Sequence, residues 1–466
     1  MGTRARSGAD PASDLRRLRI VIASALAWPR YVGGGEVHTR QLAREFHARG
    51  EAVSFLTFDP ERSAPVRSRR ETLDGIPYDH LSLPDFESPY FRSAGLERWA
   101  DEWLAQELPD VLHLFGFGGM LGLLPAARRL EVPVVYTALE FSYFCRQYTL
   151  QFENREPCAL DRRGRVCEDC ALQSYSPSQR RAARLARGMP LPWQTALRTS
   201  LRRMLGVDYF PSWAQREVTE LIEAQRRQFA DDIAAVVAPS TLMRDFFVAQ
   251  GVDASRIHFV QYGTDVRPAA PETGGSDARL RLGFVGRPDR AKGIHVLCEA
   301  VRQLPLDMEF EVAIHSSIKD DDSAYAAQVR QAVAGDARLR LMGPVSREAL
   351  PMALAAMDAL VVPSIWYENS PIVITEALAC GVPVVCSDSP GNDDLVQDGV
   401  NGLTFKLGDA SALAQCIKRL VREPVLRTKL RHGVRRPPTT GEVADQLLAL
   451  YHSLARVHRE PALATR

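Results

Sequence analysis

The sequence predicts an α/β protein with two Rossmann-like domains that face a central cleft. Three observations predict this architecture. Short apolar runs typical of buried parallel strands alternate with helical patterns, this alternation occurs in two successive halves, and a segment rich in Pro, Gly and acidic residues separates the halves. A chain of 466 residues is long enough for two or three domains with substantial cores.

The N-terminal domain is predicted to span residues 17–266, after a polar start, residues 1–16, that we expect to be disordered. An apolar run at residues 18–23 predicts its first strand, and Gly33, Gly34 and Gly35 then open a helix. These glycines suit either a close approach of the backbone to a ligand or a simple tight turn. Further strands are predicted at residues 52–58, 111–115, 132–137, 235–238 and 257–262.

The C-terminal domain is predicted over residues 279–437, after a linker at residues 267–278. Its first strand, at residues 280–286, precedes a helix with a regular apolar face. A later strand at residues 359–362 leads through a loop to a helix that begins at Pro371 and ends at Gly381. Residues 382–386 supply the next strand of this βαβ unit. A final helix with one apolar face is predicted over residues 438–458.

Two glutamates, Glu368 and Glu376, are the most informative feature of the second half. Ligands of open α/β sheets bind beyond the carboxyl ends of the strands, beside helix N-termini whose N–H groups attract phosphate. Glu368 belongs to the loop at such an end, and Glu376 belongs to the second turn of the helix that follows. Carboxylates accept hydrogen bonds well from sugar and ribose hydroxyls. The combination indicates a nucleotide-sugar site.

The stretch from Glu368 to Ser387 resembles the Glu-x7-Glu signature of retaining glycosyltransferases of the GT-B fold, specifically the family 4-like group, also called glycosyl transferases group 1. The resemblance covers residues 18–454. It implies transfer of a hexose-type unit (EC 2.4) from a nucleoside diphosphate sugar to an acceptor hydroxyl, with retention, in polysaccharide, glycolipid or glycoconjugate synthesis. It also implies an acceptor-side N-terminal domain, which the final helix rejoins, and catalysis without a cofactor.

The resemblance assigns residues to the donor half of the site. Gly286, Arg287 and Lys292 match the family's Gly-Arg-x4-Lys-Gly pattern, whose Arg and Lys hold the donor diphosphate; the alternative is a pair of solvated loop cations. It further implies that Glu376 binds the ribose and Glu368 the donor sugar. The remaining donor-binding candidates are Gly34 and Gly35 in the N-terminal glycine loop, and Asn369, Ser370, Pro371 and Ile372, whose backbone amides face the diphosphate.

The acceptor half departs from the family pattern. Leu139 stands where many relatives have His, and Glu140 stands where they have Asp. Glu140 is a candidate base or hydroxyl-binding group, with both roles open. His113 is a candidate too, although a buried strand position explains it as well. Phe115 stands where a His-x-His version of the family would carry a second imidazole. Because the imidazoles of relatives are missing at positions 139 and 115, a catalytically weak nucleotide-sugar-binding partner subunit is kept as an alternative function, beside a GT-B phosphorylase or an epimerase.

Four cysteines, Cys145, Cys158, Cys167 and Cys170, fall within 26 residues of an insert at about residues 141–230. Such clustering suits a structural zinc or another thiolate-bound metal. Reactive or paired thiols and unpaired thiols are the alternatives. A metal would supply folding energy that this polar, irregular insert cannot obtain from a core.

The same insert carries seven arginines and no acidic residue between Arg180 and Arg203, interleaved with Trp193 and several leucines and methionines. This composition suits a surface that contacts an anionic membrane or an anionic acceptor. An arginine-rich solvated helix is the alternative. If the first interpretation holds, the acceptor is a lipid-linked molecule or an anionic glycan.

Composition describes an ordinary globular protein. The net charge of +1 and 25% charged residues give no reason to expect a nucleic-acid partner. The sequence has no run of eighteen apolar residues, and its start lacks the apolar core of a signal peptide. We therefore expect a cytoplasmic protein, peripheral at the inner face of the membrane if the arginine-rich segment binds lipid.

Overall fold

The structure is a computed structural model. It describes residues 16–27, 29, 33–59, 61, 63, 65–83, 94–116, 120–141, 143–145, 150–152, 156–158, 167, 169–170, 172–173, 176–186, 188–205, 229–269, 279–321 and 323–457. The predicted disordered start, except residue 16, lies outside this range, as do most of the predicted linker and much of the insert.

The N-terminal domain is built on a mostly parallel sheet. In the described part of the chain its strands are β1 (Arg19–Ser24), β2 (Ala52–Asp59), β3 (Arg67–Leu73), β4 (Ile76–Ser82), β5 (Val111–Phe115), β6 (Val134–Thr137), β9 (Ala235–Ala238) and β10 (Ile257–Phe259). Their order is β10-β9-β6-β5-β1-β2-β4-β3, and only β3 pairs antiparallel. The strand order reverses at β1, which lies between β2 and β5. The two-residue strands β7 (Gln151–Phe152) and β8 (Glu156–Pro157) pair separately in the insert.

The C-terminal domain has a wholly parallel sheet. Its strands are β11 (Leu280–Val285), β12 (Phe310–His315), β13 (Leu339–Leu341), β14 (Ala359–Val362), β15 (Val384–Ser387) and β16 (Gly402–Phe405). They are arranged in the order β13-β12-β11-β14-β15-β16, so the order reverses between β11 and β14. Crevices at such reversals are the usual ligand sites of open α/β sheets.

Helices cover both faces of each sheet. In the N-terminal half they are Gly34–Ala48, Ala94–Glu107, Leu124–Arg129, Pro177–Ala186, Leu191–Leu205 and Thr241–Ala249. In the C-terminal half they are Ile294–Arg302, Ala324–Ala334, Leu350–Ala355, Ile372–Ala379, Pro390–Asp393, Ala410–Arg422, Pro424–Gly433 and Thr440–Val457. Each sheet therefore has an apolar core on both faces. Because both faces are buried, the central strands are continuous apolar runs in the sequence.

Two predicted strands begin two residues later than expected, and both begin directly after a proline. Residues 132–137 and 382–386 were predicted, whereas the strands begin at Val134 and Val384. Pro133 and Pro383 have no N–H group to donate to a ladder, so pairing starts at the next residue. The predicted helix start shifts in the same way, because Pro371 is the N-cap and Ile372 the first helical residue.

The final helix, Thr440–Val457, returns to the N-terminal domain. Val443, Ala444, Leu447 and Tyr451 are buried in the core on one face of the N-terminal sheet. The crossing is held where the guanidinium of Arg49 donates to the carbonyl of Gly441 at 2.8 Å. Among the described helices, none is both long and apolar enough to cross a membrane.

Candidate active site

One cleft of about 1060 Å³ lies between the carboxyl ends of the two sheets. It brings together most of the residues that the sequence singled out, although these come from distant parts of the chain. Gly34, Gly35 and Glu140 line it from the N-terminal domain, and Gly286, Arg287, Lys292, Glu368, Pro371, Ile372 and Glu376 line it from the C-terminal domain. Asn369, Ser370 and His113 lie behind this lining and are buried.

Glu368 and Lys292 form an ion pair at the reversal between β11 and β14. The ammonium Nζ of Lys292 lies 2.8 Å from Oε1 of Glu368, and the hydroxyl of Ser364 donates to the same oxygen at 2.5 Å. The Glu368 side chain is only 6% exposed, whereas that of Lys292 is 24% exposed. Lys292 thus reaches from the wall into the cleft, where it can approach a ligand.

The charge state of Glu368 follows from its partners. Burial on its own raises the pKa of Glu368, but the charge of Lys292, with the hydrogen bonds from Lys292 and Ser364, outweighs burial and leaves the pKa below its ordinary value. Glu368 is therefore a carboxylate at neutral pH. Its second oxygen can accept a hydrogen bond from a ligand hydroxyl.

Gly293 allows the turn that carries Lys292 to pack under the Glu368 loop. Its φ of +71° lies in the left-handed region, and a Cβ at this position would come within 1.8 Å of the carbonyl oxygen of Pro363. Only glycine permits both the backbone conformation and this approach. The Gly-Arg-x4-Lys-Gly pattern therefore ends in a glycine for a packing reason.

Glu376 pairs with Arg347, a residue that the sequence did not indicate. The Arg347 guanidinium forms a hydrogen-bonded ion pair with Oε1 of Glu376. Burial raises the pKa of Glu376 above its ordinary value, and the positive charge of Arg347 offsets part of that rise. Arg347 follows strand β13, so its place after the carboxyl end of a strand was the one available signal. The neighbouring His315, Ser316 and Ser346 line the same rim.

The start of helix Ile372–Ala379 opens on the cleft between the two glutamates. No described side chain caps this end, and its N-cap is Pro371. Unpaired N–H groups of a first turn, together with the helix dipole, favour a bound anion. The glycine loop faces this helix start, since a Cβ on Gly34 would lie 3.2 Å from Cδ1 of Ile372.

His113 has a structural place. It is fully buried on β5, where Nε2 bonds to the hydroxyl of Thr137 at 2.7 Å and Nδ1 to the hydroxyl of Tyr451. Burial lowers its pKa well below the ordinary value, so the ring is neutral. These contacts join the sheet to the final helix. On the acceptor side, Glu140 does line the cleft, beside Leu139.

The cysteine cluster and the arginine-rich segment lie away from the cleft lining. Cys145, Cys158 and Cys167 are half-buried and Cys170 is buried. Within the part of the chain that the structure describes, no three His, Cys, Asp or Glu side chains form a group that could hold a metal. The thiolate-bound metal stays a prediction from cysteine spacing. Elemental analysis tests it, and less than about half an equivalent of metal would count against it.

Two family models match the chain. Residues 279–423 match the model described as "Glycosyl transferases group 1", and residues 33–169 and 170–263 match the "Glycosyl transferase 4-like domain". The first match contains the donor-side residues of the cleft, and the second contains the glycine loop and Glu140. Together the two matches cover most of the chain.

Curated relatives share part of the sequence. Alpha-maltose-1-phosphate synthase of Mycolicibacterium smegmatis is 31% identical over 236 residues, which cover 46% of this chain and 57% of the synthase. Phosphatidyl-myo-inositol mannosyltransferase of Mycobacterium leprae is 31% identical over 241 residues, which cover 49% of this chain and 62% of that enzyme. The chain thus matches less than two thirds of the length of these relatives.

Solved structures share the fold over nearly the whole chain. Anabaena HepE in complex with UDP and glucose has a TM-score of 0.60 at 16% identity, covering 94% of this chain and 100% of that chain. Sucrose-phosphate synthase from Thermosynechococcus elongatus has a TM-score of 0.62 at 19% identity, covering 95% and 100%. The architecture of two facing Rossmann-like domains is therefore GT-B. With this fold and both family models, the chain belongs to the family 4-like, group 1 glycosyltransferases.

Proposed function

We propose that this protein is a retaining hexosyltransferase that moves a sugar from a nucleoside diphosphate sugar to an acceptor hydroxyl, in the synthesis of a polysaccharide, glycolipid or glycoconjugate. The observation that carries the proposal is that Arg287, Lys292, Glu368 and Glu376 surround one helix start in a single cleft. The cations and the helix start suit a diphosphate. The carboxylates of Glu368 and Glu376 can accept hydrogen bonds from the sugar and ribose hydroxyls on either side of the diphosphate.

In the proposed reaction, the acceptor oxygen forms a bond to the anomeric carbon while the bond from that carbon to the β-phosphate oxygen breaks. Arg287 and Lys292 stabilise the negative charge that develops on the leaving diphosphate, together with the amides at the start of helix Ile372–Ala379. The acceptor proton passes to the leaving phosphate oxygen. Glu368 orients the donor sugar and Glu376 orients the ribose, so both contribute to catalysis by positioning the donor.

Names of relatives and structural neighbours support the donor class. A synthase of maltose 1-phosphate and a mannosyltransferase are among the relatives. Structures of HepE contain UDP, or UDP-glucose, in a chain of the same fold. For this protein we propose a nucleoside diphosphate sugar as donor and a glycan or lipid-linked molecule as acceptor.

We also propose that the segment from Arg180 to Arg203 contacts the surface of an anionic membrane. Two helices, Pro177–Ala186 and Leu191–Leu205, lie in this region. Large apolar side chains on them face solvent, with Leu185 80% exposed, and Trp193 and Met204 71% exposed. Exposed apolar side chains are interleaved with arginines in a segment that has no acidic residue. Such a surface suits the membrane interface, where anionic head groups lie above apolar lipid tails. A membrane contact through this segment suits a cytoplasmic enzyme that acts on a lipid-linked acceptor.

Vesicle flotation tests the membrane contact. We expect binding to vesicles with about a third anionic lipid, weakening as salt is raised because the contact is partly electrostatic. A Leu185→Ser, Trp193→Ser variant is expected to lose binding while its donor affinity is unchanged. Equal flotation of the variant and the wild type, or binding to purely zwitterionic vesicles, would contradict the proposal.

A donor-binding screen tests the nucleotide-sugar site. Calorimetry with UDP, GDP and ADP sugars is expected to find one base that binds, and the Glu376→Ala variant is expected to lose most of that affinity. A conservative Glu376→Gln variant separates loss of charge from loss of shape. Unchanged affinity in both variants would refute the ribose role of Glu376. Binding without turnover by the wild type would instead favour the catalytically weak partner subunit.

A further inference from the structure

Asn369 is next to Glu368 in the chain, but its side chain turns to the opposite domain. Its amide Nδ2 donates to the carbonyl oxygen of Ala138 at 2.7 Å and to that of Leu139 at 3.2 Å. Its Oδ1 accepts from the hydroxyl of Ser240 at 2.9 Å. Since two carbonyl oxygens can only accept, the amide nitrogen must face them. Asn369 thus uses both ends of its side chain to bridge the domains.

The partners of Asn369 belong to two different elements of the N-terminal domain. Ala138 and Leu139 follow strand β6 and directly precede Glu140, the carboxylate on the acceptor side. Ser240 is the N-cap of helix Thr241–Ala249, where its hydroxyl accepts from the amide of Met243 at 3.2 Å. The bridge therefore joins the Asn369 loop to two elements of the N-terminal domain, the segment after β6 that leads to Glu140 and the start of helix Thr241–Ala249.

The backbone of the Glu368 loop is fixed on its other side by its own domain. The amide of Glu368 donates to the hydroxyl of Ser389 at 2.9 Å. Gly391 packs directly against the loop, since a Cβ there would lie 1.9 Å from the carbonyl oxygen of Glu368 and 2.4 Å from that of Asn369. With so little freedom in the loop, a force on the Asn369 side chain is transmitted to Glu368.

A second bridge lies nearby and avoids the Glu368 loop. Asp394 accepts from the amide of Thr241 at 2.6 Å and from its hydroxyl at 2.7 Å. Gln261 also donates to the carbonyl oxygen of Asp394 at 3.3 Å. A carboxylate at a helix N-terminus is favoured by the helix dipole, so this contact stabilises the docked domains. Asp394 therefore provides a control that affects docking without touching Glu368.

We propose that Asn369 is a positioning residue that couples docking of the two domains to the placement of Glu368 and of the backbone before Glu140. The proposal rests on the proposed function, because Glu368 and Glu140 matter only if sugar is transferred between them. When the bridge forms, the donor-side and acceptor-side carboxylates are held in one arrangement and water is excluded. When it is broken, the domains dock less tightly and the Glu368 loop keeps only the contacts to its own domain.

The test compares Asn369→Asp, which keeps shape but places an oxygen against two carbonyl oxygens, with Asp394→Asn. The affinity of Asn369→Asp for UDP is expected to fall by less than its kcat, because Arg287, Lys292, Glu376 and the backbone amide of residue 369 are unchanged. Its kcat for transfer is expected to fall about 100-fold, since misplacement by about 1 Å costs that much. The share of donor hydrolysed by water should rise. Asp394→Asn weakens docking alone, so its kcat should fall less.

Small-angle scattering with UDP separates this inference from the proposed function, because it needs no turnover. We expect UDP to compact the wild type, and Asn369→Asp to compact less. Equal compaction with unchanged kcat, or a loss of donor affinity as large as the loss of kcat, would overturn the positioning role. If the wild type never releases nucleotide, the proposed function fails, and the scattering result still decides whether Asn369 holds the domains together.

Discussion

Replacing Arg347 with Met should make donor binding depend on pH, because Arg347 pairs with the buried Glu376. The Glu376 side chain is 4% exposed and that of Arg347 is 38% exposed. Removing one partner of a buried ion pair lowers the free energy of unfolding by about 3–5 kcal/mol. Because water screens the half-exposed Arg347, we take about 1–3 kcal/mol as the loss in the free energy of unfolding of the Arg347→Met variant. Donor affinity at neutral pH falls as well, to the extent that Glu376 becomes protonated.

The sign of the pH effect follows from the burial of Glu376. Burial already raises the pKa of Glu376, and loss of the Arg347 charge raises it further. In the proposed ribose role only the carboxylate form of Glu376 accepts two hydrogen bonds, so donor affinity is expected to fall as pH drops through this pKa. In the Arg347→Met variant the fall should begin at a higher pH than in the wild type, with a slope approaching tenfold per pH unit.

Calorimetric titration of the donor between pH 5.5 and 8.5 measures this effect. Arg347→Lys keeps a positive charge and should retain most of the wild-type profile, while Glu376→Gln should bind weakly with no pH dependence. A carboxylate has about four acceptor sites, so Arg347 and a ribose can bind Glu376 together. If Arg347→Met binds as tightly as the wild type with the same pH profile, Arg347 does not support Glu376.

Three further predictions concern stability. The lowered pKa of Glu368 means that its ion pair stabilises the fold above the ordinary pKa near 4.5, and that this stability is lost as pH falls through the lower folded value. Glu368→Gln should therefore lose less stability between pH 6 and 3 in denaturant titrations than the wild type, and an equal loss would contradict the pairing. Gly293→Ala should lower the melting temperature well beyond Gly381→Ala, because both positions have a positive φ but only the first meets a neighbouring carbonyl oxygen. Equal shifts would contradict the close packing. Tyr451→Phe should cost about 1–3 kcal/mol in chemical denaturation by leaving a nitrogen of the buried His113 unpaired, with donor affinity unchanged.

The donor half of the site could be predicted from the sequence because its signals are local. Buried parallel strands appear as short apolar runs, and a helix that starts after such a run places its first turn at the ligand edge. Arg287 and Lys292 follow the end of β11, Glu368 lies in the loop after β14, and Glu376 lies in the helix that comes next. Their meeting in one cleft follows from the topology alone.

Other features could not be predicted, because they depend on contacts between distant parts of the chain. Arg347 is 29 residues from Glu376, and no motif or spacing pairs the two. The side chain of Asn369 bonds to residues about 230 positions away, in the other domain. The hairpin of β3 and β4 was missed although its Asp74-Gly75 turn has the positive φ angles of a two-residue hairpin loop. Its β3 is a polar edge strand without an apolar run.

The measurement that tests the central claim most directly is nucleotide release from each donor that binds, with and without a panel of carbohydrate and lipid-linked acceptors. A phosphate-coupled assay for the free nucleoside diphosphate is sufficient. We predict that one acceptor accelerates release, and that Lys292→Ala, which removes a cation beside the leaving diphosphate, reduces this release by at least about 100-fold. If no donor that binds ever releases its nucleotide, the protein is not a glycosyltransferase.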